Sequence, residues 1–192
     1  KNQNIETAPN VGEAVSKAEL FFKENGKKLS VAAIAVAAVA LIIIAVSQFY
    51  VKPLKAEAAN QTFTAEQYFR ERKKEKALNG DGNILGFAQI IDEYGKKAGA
   101  SVYFYAGVCE LQNGNWEQAI NYLENYKGTD AILAARAKAC IGDAYVGLEN
   151  YSKALACFEA AAAEADNLFA ATYLLKAGAV AEKLGDDAKA LS

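Results

Sequence analysis

The sequence predicts an all-α protein in which one N-terminal transmembrane helix leads into a solenoid of antiparallel helix hairpins. Three observations predict it. Residues 29–51 form a run of 23 uncharged residues, long enough to cross a bilayer. Glycines recur at Gly107, Gly142 and Gly178, and alanines at Ala119, Ala154 and Ala190, both at spacings of 35 and 36. From about residue 61 onward, helical periods alternate with Asn-Gly, Gly-Asn and Gly-Asp turns.

Composition narrows the function. The chain is 53% hydrophobic and 23% charged with two prolines, which argues against wholesale disorder. A net charge of −2 excludes a strongly basic nucleic-acid binder. There is no histidine, which removes Ser-His-Asp and Cys-His catalysis and every imidazole metal site. The three cysteines are too few for a disulfide framework. No catalytic constellation, cofactor, metal, nucleic acid or small-molecule substrate is expected. The chain begins at Lys1 and stops inside its repeat pattern, so it is expected to be part of a longer protein.

Residues 1–28 read as a cytoplasmic tail, with 1–10 patternless and disordered. Over 11–25, Val11, Ala14, Val15, Ala18, Phe21 and Phe22 share one helical face, and Gly26 offers a stop. Such a helix lies on the leaflet with Phe21 and Phe22 at the acyl boundary, or docks on a membrane partner. The span itself, 29–51, makes a helix of about 34 Å against about 30 Å of hydrocarbon. Lys28 and Lys52 bracket it, and Phe49 and Tyr50 stand where an aromatic belt is expected. A buried core helix and a cleavable signal are the alternatives. Ala45 and Ser47 resemble a cleavage site, but the polar stretch before the apolar run is far longer than a signal n-region. An uncleaved anchor is the expectation. Lys17, Lys23, Lys27 and Lys28 precede the span and Lys52 and Lys55 follow it, which favours a cytoplasmic N-terminus. Ala33 and Ala37 form a small-xxx-small pair that lets another helix close in, or simply belong to an alanine-rich span.

Residues 52–60 read as a linker and 61–98 as an N-terminal hairpin, a degenerate repeat or cap. Thr64 with Gln67 suggests a capping box, and Phe63 with Tyr68 a hydrophobic staple, opening a helix to about Leu78. After the turn at 79–83, Ile84, Phe87, Ala88, Ile91 and Tyr94 mark a second helix. Residues 70–76 hold five basic and two acidic side chains, a solvated helix face or a contact for anionic headgroups. Asp81, Asn83, Gly86 and Asp92 stand at calcium-loop offsets, but Leu85 occupies a ligand position. Gly80 and Gly82 start a dinucleotide fingerprint that Leu85 breaks.

Residues 99–192 carry the repeats, the last incomplete. A mid-helix glycine costs about 1 kcal/mol against alanine, so each recurring glycine needs a reason: close approach of the next helix, glycine facing alanine. Trp116 and Tyr151 follow two of the turns, and Leu123 and Phe158 share a place in the second helices. Cys109, Cys140 and Cys157 lie within repeat helices and read as small buried hydrophobes; Cys140 and Cys157 sit on opposite arms of one hairpin, where a bridge is geometrically open.

The stretches NGNWEQAINYLENY and LENYSKALACFEAA resemble tetratricopeptide repeats, over about residues 100–192. The chain departs from that pattern where Gly128-Thr129-Asp130 and Asp166-Asn167 replace the usual proline and Asp187 replaces the aromatic. With FFKENGKKL before a single span, the layout resembles the YfgM-type family of bacterial inner-membrane proteins. That resemblance implies a non-enzymatic accessory of the Sec translocon with a periplasmic repeat domain. Its partners would be translocon subunits, a periplasmic chaperone of the PpiD type, exported clients and the lipid bilayer.

Stacked hairpins present a groove lined by the first helix of each repeat. Here the candidates are Phe104, Val108, Leu111, Arg136, Asp143, Val146, Leu175, Lys176 and Glu182, some of which also pack between helices. In cytosolic co-chaperones of the resembled family, lysine and asparagine at such places clamp a C-terminal carboxylate. Phe104, Val108 and Asp143 stand there instead, so that clamp is not expected.

Overall fold

The computed structural model describes residues 11–164 and 169–190, with the side chains of 11–18, 187 and 189 outside the description. The expectation for residues 1–10, the 166–167 turn and the apolar face of 11–18 therefore lies outside the described residues. Every regular element among the described residues is helical. The chain divides into two compact units, one ending at Lys52 and one beginning at Pro53.

The first unit is carried by α1 (Val11–Val46), 36 residues long. It does not stop at Gly26, whose surroundings are open. A lone helical glycine costs about 1 kcal/mol, less than a long helix with strong formers on both sides gives back. The apolar side chains of α1 face outward: Val31, Ile34, Val36, Val39, Leu41, Ile42, Ile43 and Ile44 are all more than half exposed. Ala33 and Ala37 are exposed among them. This is one helix long and apolar enough to cross a membrane. Ser47–Val51 is a π-helical turn closed by Lys52 N–H donating to Ser47 O, the wider ring that marks π-bulges.

The second unit opens with α2 (Lys52–Arg70). Four expectations change here. The stretch 52–60 is helix, and Thr64 and Gln67 lie in the helix interior, where no N–H is orphaned and no capping box forms. Phe63 is exposed, with the Arg70 guanidinium 5.9 Å from its ring centroid, and does not staple Tyr68. Instead Ala58, Thr62 and Ala65 form the buried face, and the Thr62 hydroxyl donates to Ala58 O at 2.8 Å. The helix also ends before Leu78. Arg72 adopts φ 59°, Arg72 N–H donates to Phe69 O and Lys73 N–H to Tyr68 O, a left-handed C-terminal cap. The short α3 (Lys74–Asn79) follows. Asp81 then shapes the turn: its carboxylate accepts from Asn83 N, Ile84 N and the Tyr68 hydroxyl. The Tyr68 hydrogen bond, with the two backbone donors, holds that carboxyl below its usual range. Among the described residues no three His, Cys, Asp or Glu side chains gather as a ligand set. Next come α4 (Phe87–Tyr94) and a 3₁₀ turn, Gly95–Ala98.

The rest is α5 (Ala100–Asn113), α6 (Trp116–Glu124), α7 (Ala131–Gly147), α8 (Tyr151–Glu164), α9 (Ala170–Lys183) and α10 (Asp187–Ala190). Each packs on the next in sequence. The glycines explain the close approach, with a correction to their partners. A Cβ on Gly107 would stand 2.5 Å from Leu123 Cγ, and one on Gly142 would stand 2.7 Å from the Phe158 ring. These glycines make room for a large side chain. The expected alanines are met as well at two of the three positions, Ala119 O from Gly107 and Ala190 O from Gly178, each 3.2 Å from where a Cβ would stand. Gly147 at the end of α7 lies against the Trp116 indole, 2.5 Å from where a Cβ would stand.

Three apolar clusters make the core. Ala58 and Ala65 of α2 meet Phe87, Ile90, Val102 and Cys109. Phe104, Val108, Leu123 and Ala137 join α5, α6 and α7. Ala135, Ala154, Phe158, Tyr173 and Ala181 join α7, α8 and α9. Alanine at so many contact positions lets the helix axes approach closely.

One turn recurs three times. Gly114 N–H donates to Leu111 O and Asn115 N–H to Glu110 O; Glu149 and Asn150 donate in the same way to Val146 O and Tyr145 O; Gly185 and Asp186 to Glu182 O and Ala181 O. The first residue of each pair has positive φ: 82°, 57° and 74°. Glu149 thus holds a left-handed position that glycine fills in the two sister turns. Glu149→Gly is expected to raise stability by about 0.5–1 kcal/mol, since a side chain there costs about 1–2 kcal/mol. Chemical denaturation measures it; an unchanged or lowered midpoint would refute the strain.

Candidate groove on the second unit

The site is built from α7 outward. Asp130 starts this helix by accepting from Leu133 N at 2.9 Å, an N-cap that fixes which residues point away from the core. Ala135, Ala137, Ala139 and Ala144 are buried, while Arg136, Cys140 and Asp143, spaced four and three residues apart, share a face flanked by them, with Cys140 also packed against the Phe104 and Val108 cluster.

Arg136 lines two clefts at once. One, of about 530 Å³, is walled by Phe69 and Arg70 at the end of α2, Arg72, Lys74 of α3, Gln112 of α5 and Arg136. The other, of about 390 Å³, is walled by Ile132, Arg136, Ala139, Cys140 and Asp143 of α7 and by Phe169, Thr172, Tyr173 and Lys176. Arg136 is held between them over Phe104, its guanidinium carbon 5.8 Å from the ring centroid.

Charge differs between the clefts. The first has four cations and no carboxylate on its walls. Arg70 approaches Glu66 at 3.8 Å with its side chain 59% exposed, a pair too open to neutralise it. In the second, Lys176 Nζ donates to both Asp143 oxygens at 2.7 Å, and the same ammonium stands 5.5 Å from the Phe158 ring. The Lys176 and Asp143 side chains are 40% and 35% exposed, so the pair orients more than it stabilises.

Among the predicted lining residues, Arg136, Asp143 and Lys176 come together in the second cleft. Phe104 and Val108 do not line it; they are 3% and 6% exposed and belong to the core. Leu111, Val146, Leu175 and Glu182 line neither of these two clefts. Arg72, Lys74, Gln112 and Phe169 were not anticipated.

The cysteines are free thiols. Burial pushes Cys109 up to about 12 and Cys140 up to about 11. Both stay protonated near neutral pH, the unreactive form.

No protein-family model matches the chain, and no curated protein matches it.

Proposed function

We propose that the protein is a non-enzymatic, membrane-anchored scaffold of tetratricopeptide type that holds protein segments in the groove spanning the two clefts. The observation that carries this reading is the groove itself: side chains from α2, α3, α5, α7 and α9 flank Arg136 and leave an open, mixed-polarity surface, as stacked hairpins do when they bind extended chains. The outward-facing apolar side chains of α1 support a single-pass anchor, because a bilayer is the medium that favours them. Excess lysine before the span supports a cytoplasmic N-terminus, which directs the second unit to the periplasmic side of a bacterial inner membrane. The juxtamembrane resemblance extends the reading to an accessory of the Sec translocon that passes exported proteins to a periplasmic chaperone of the PpiD type. A generic envelope scaffold with other partners, using the same groove, is the alternative.

Crosslinking in native membranes followed by affinity capture and mass spectrometry tests it. Full-length protein is compared with a form whose residues 11–51 are replaced by an unrelated anchor. The expected result is recovery of translocon subunits and a periplasmic chaperone, with the translocon lost on anchor replacement. Recovery of neither refutes the translocon reading and leaves the generic scaffold.

A further inference from the structure

Resting on the reading of this groove as a protein-docking surface, we infer that its occupant is an extended acidic segment of a partner, with an aliphatic or aromatic residue beside the acidic ones. The charge pattern argues this first. The chain as a whole is net negative, yet the first cleft gathers Arg70, Arg72, Lys74 and Arg136 without a carboxylate on its walls. Among the described residues, Arg72, Lys74 and Arg136 have no ion-pair partner. Like charges held together repel, and a negatively charged ligand relieves the repulsion. Arginine forks suit carboxylates, which they meet with two parallel N–H donors.

The second cleft decides what kind of anion. Beyond Arg136 the surface turns apolar, with Ile132 and Phe169 each 51% exposed and Tyr173 beneath. A free anion or a lipid headgroup would fill the basic cleft and leave this wall bare. A polypeptide spans both, because its side chains change character along one backbone. The carboxylate on this wall, Asp143, is already engaged by Lys176, so it repels an incoming acidic chain little. At the other end the left-handed cap at Arg72 turns the chain out of α2 into α3 and sets Arg72 and Lys74 on one wall.

The test uses the full chain in phosphatidylcholine nanodiscs. The probe is a fluorescent peptide alternating Glu and Asp before a Leu-Tyr pair, amidated at its C-terminus so that no terminal carboxylate contributes. The control replaces Glu and Asp by Gln and Asn. The acidic peptide is expected to bind about tenfold or more tighter than the control, and more weakly as NaCl rises from about 50 to about 500 mM. The combined variant Arg72→Gln, Lys74→Gln, Arg136→Gln should erase that advantage while keeping its helical circular dichroism. Should the variant misfold, the salt series on the natural sequence still decides. Equal binding of both peptides, weakened alike by Ile132→Ser, would overturn the acidic preference and leave the groove as a docking site. Binding of neither would overturn both readings. Loss of the acidic peptide when phosphatidylglycerol is added to the nanodiscs would assign the basic cleft to headgroups and overturn the inference.

Discussion

Val39→Arg combined with Ile42→Arg is expected to release the protein from the membrane fraction. Both side chains lie near the middle of the apolar run and are exposed, at 56% and 62%, so neither arginine finds protein to bury it. At the centre of a spanning helix each arginine costs about 2.5–3.5 kcal/mol, about 5–7 for the pair. The eight other Leu, Ile and Val residues between Leu29 and Val46 return about 0.3–0.6 kcal/mol each on the same scale, roughly 2–5 in total. The balance changes sign. Alkaline carbonate extraction reads the outcome, with Val39→Leu and Ile42→Leu as the control that stays in the pellet. An arginine pair that also stays would show that α1 is not what holds the protein to the membrane. The second unit should keep its thermal transition, because its core clusters contain no residue of α1.

The apolar run and the repeat register were legible in the sequence because each rests on a strong local signal. Twenty-three uncharged residues leave few options, and the 35- and 36-residue spacings reappear as the three equivalent turns at Gly114, Glu149 and Gly185. The first hairpin was misread because its signals compete. Thr64 and Gln67 have capping-box spacing, but the alanine-rich stretch before them continues the helix, and a cap forms only where N–H groups are orphaned. The break at Arg72 carries neither glycine nor proline, so nothing local announced a left-handed residue. That miss propagated to the site: with a helix drawn through residue 78, Arg72 and Lys74 read as a solvated face or a headgroup contact and not as a wall beside Arg136. Phe104 and Val108 were placed in the groove because α5 is apolar on several faces, and periodicity alone does not choose among them. Asp143 and Lys176, 33 residues apart on α7 and α9, were found because both stand on the first helix of a hairpin, the helices expected to line the groove.

Phe158→Ala should lower the stability of the second unit by about 3–5 kcal/mol, the usual cost of emptying a buried phenylalanine site. Phe158 is 1% exposed and sits where α7, α8 and α9 meet. Its ring occupies the space that Gly142 leaves open, and a Cβ there would come within 2.7 Å of it. Gly142→Ala alone therefore gains about 1 kcal/mol of helix propensity and loses about 1–3 kcal/mol to overpacking, a net destabilisation. In Phe158→Ala, Gly142→Ala the clash is gone and the propensity gain remains. The double variant should be more stable than the sum of the singles by about 1–3 kcal/mol, the range of coupling for residues in contact. Urea denaturation in mild detergent measures all four corners of the cycle. Additive effects would show that Gly142 is not there to admit the ring. The same logic applies at Gly107 against Leu123 but not at Gly178, where the neighbour is the Ala190 backbone at 3.2 Å. At Gly107 and Gly142 the glycine is thus set by the size of the side chain that faces it.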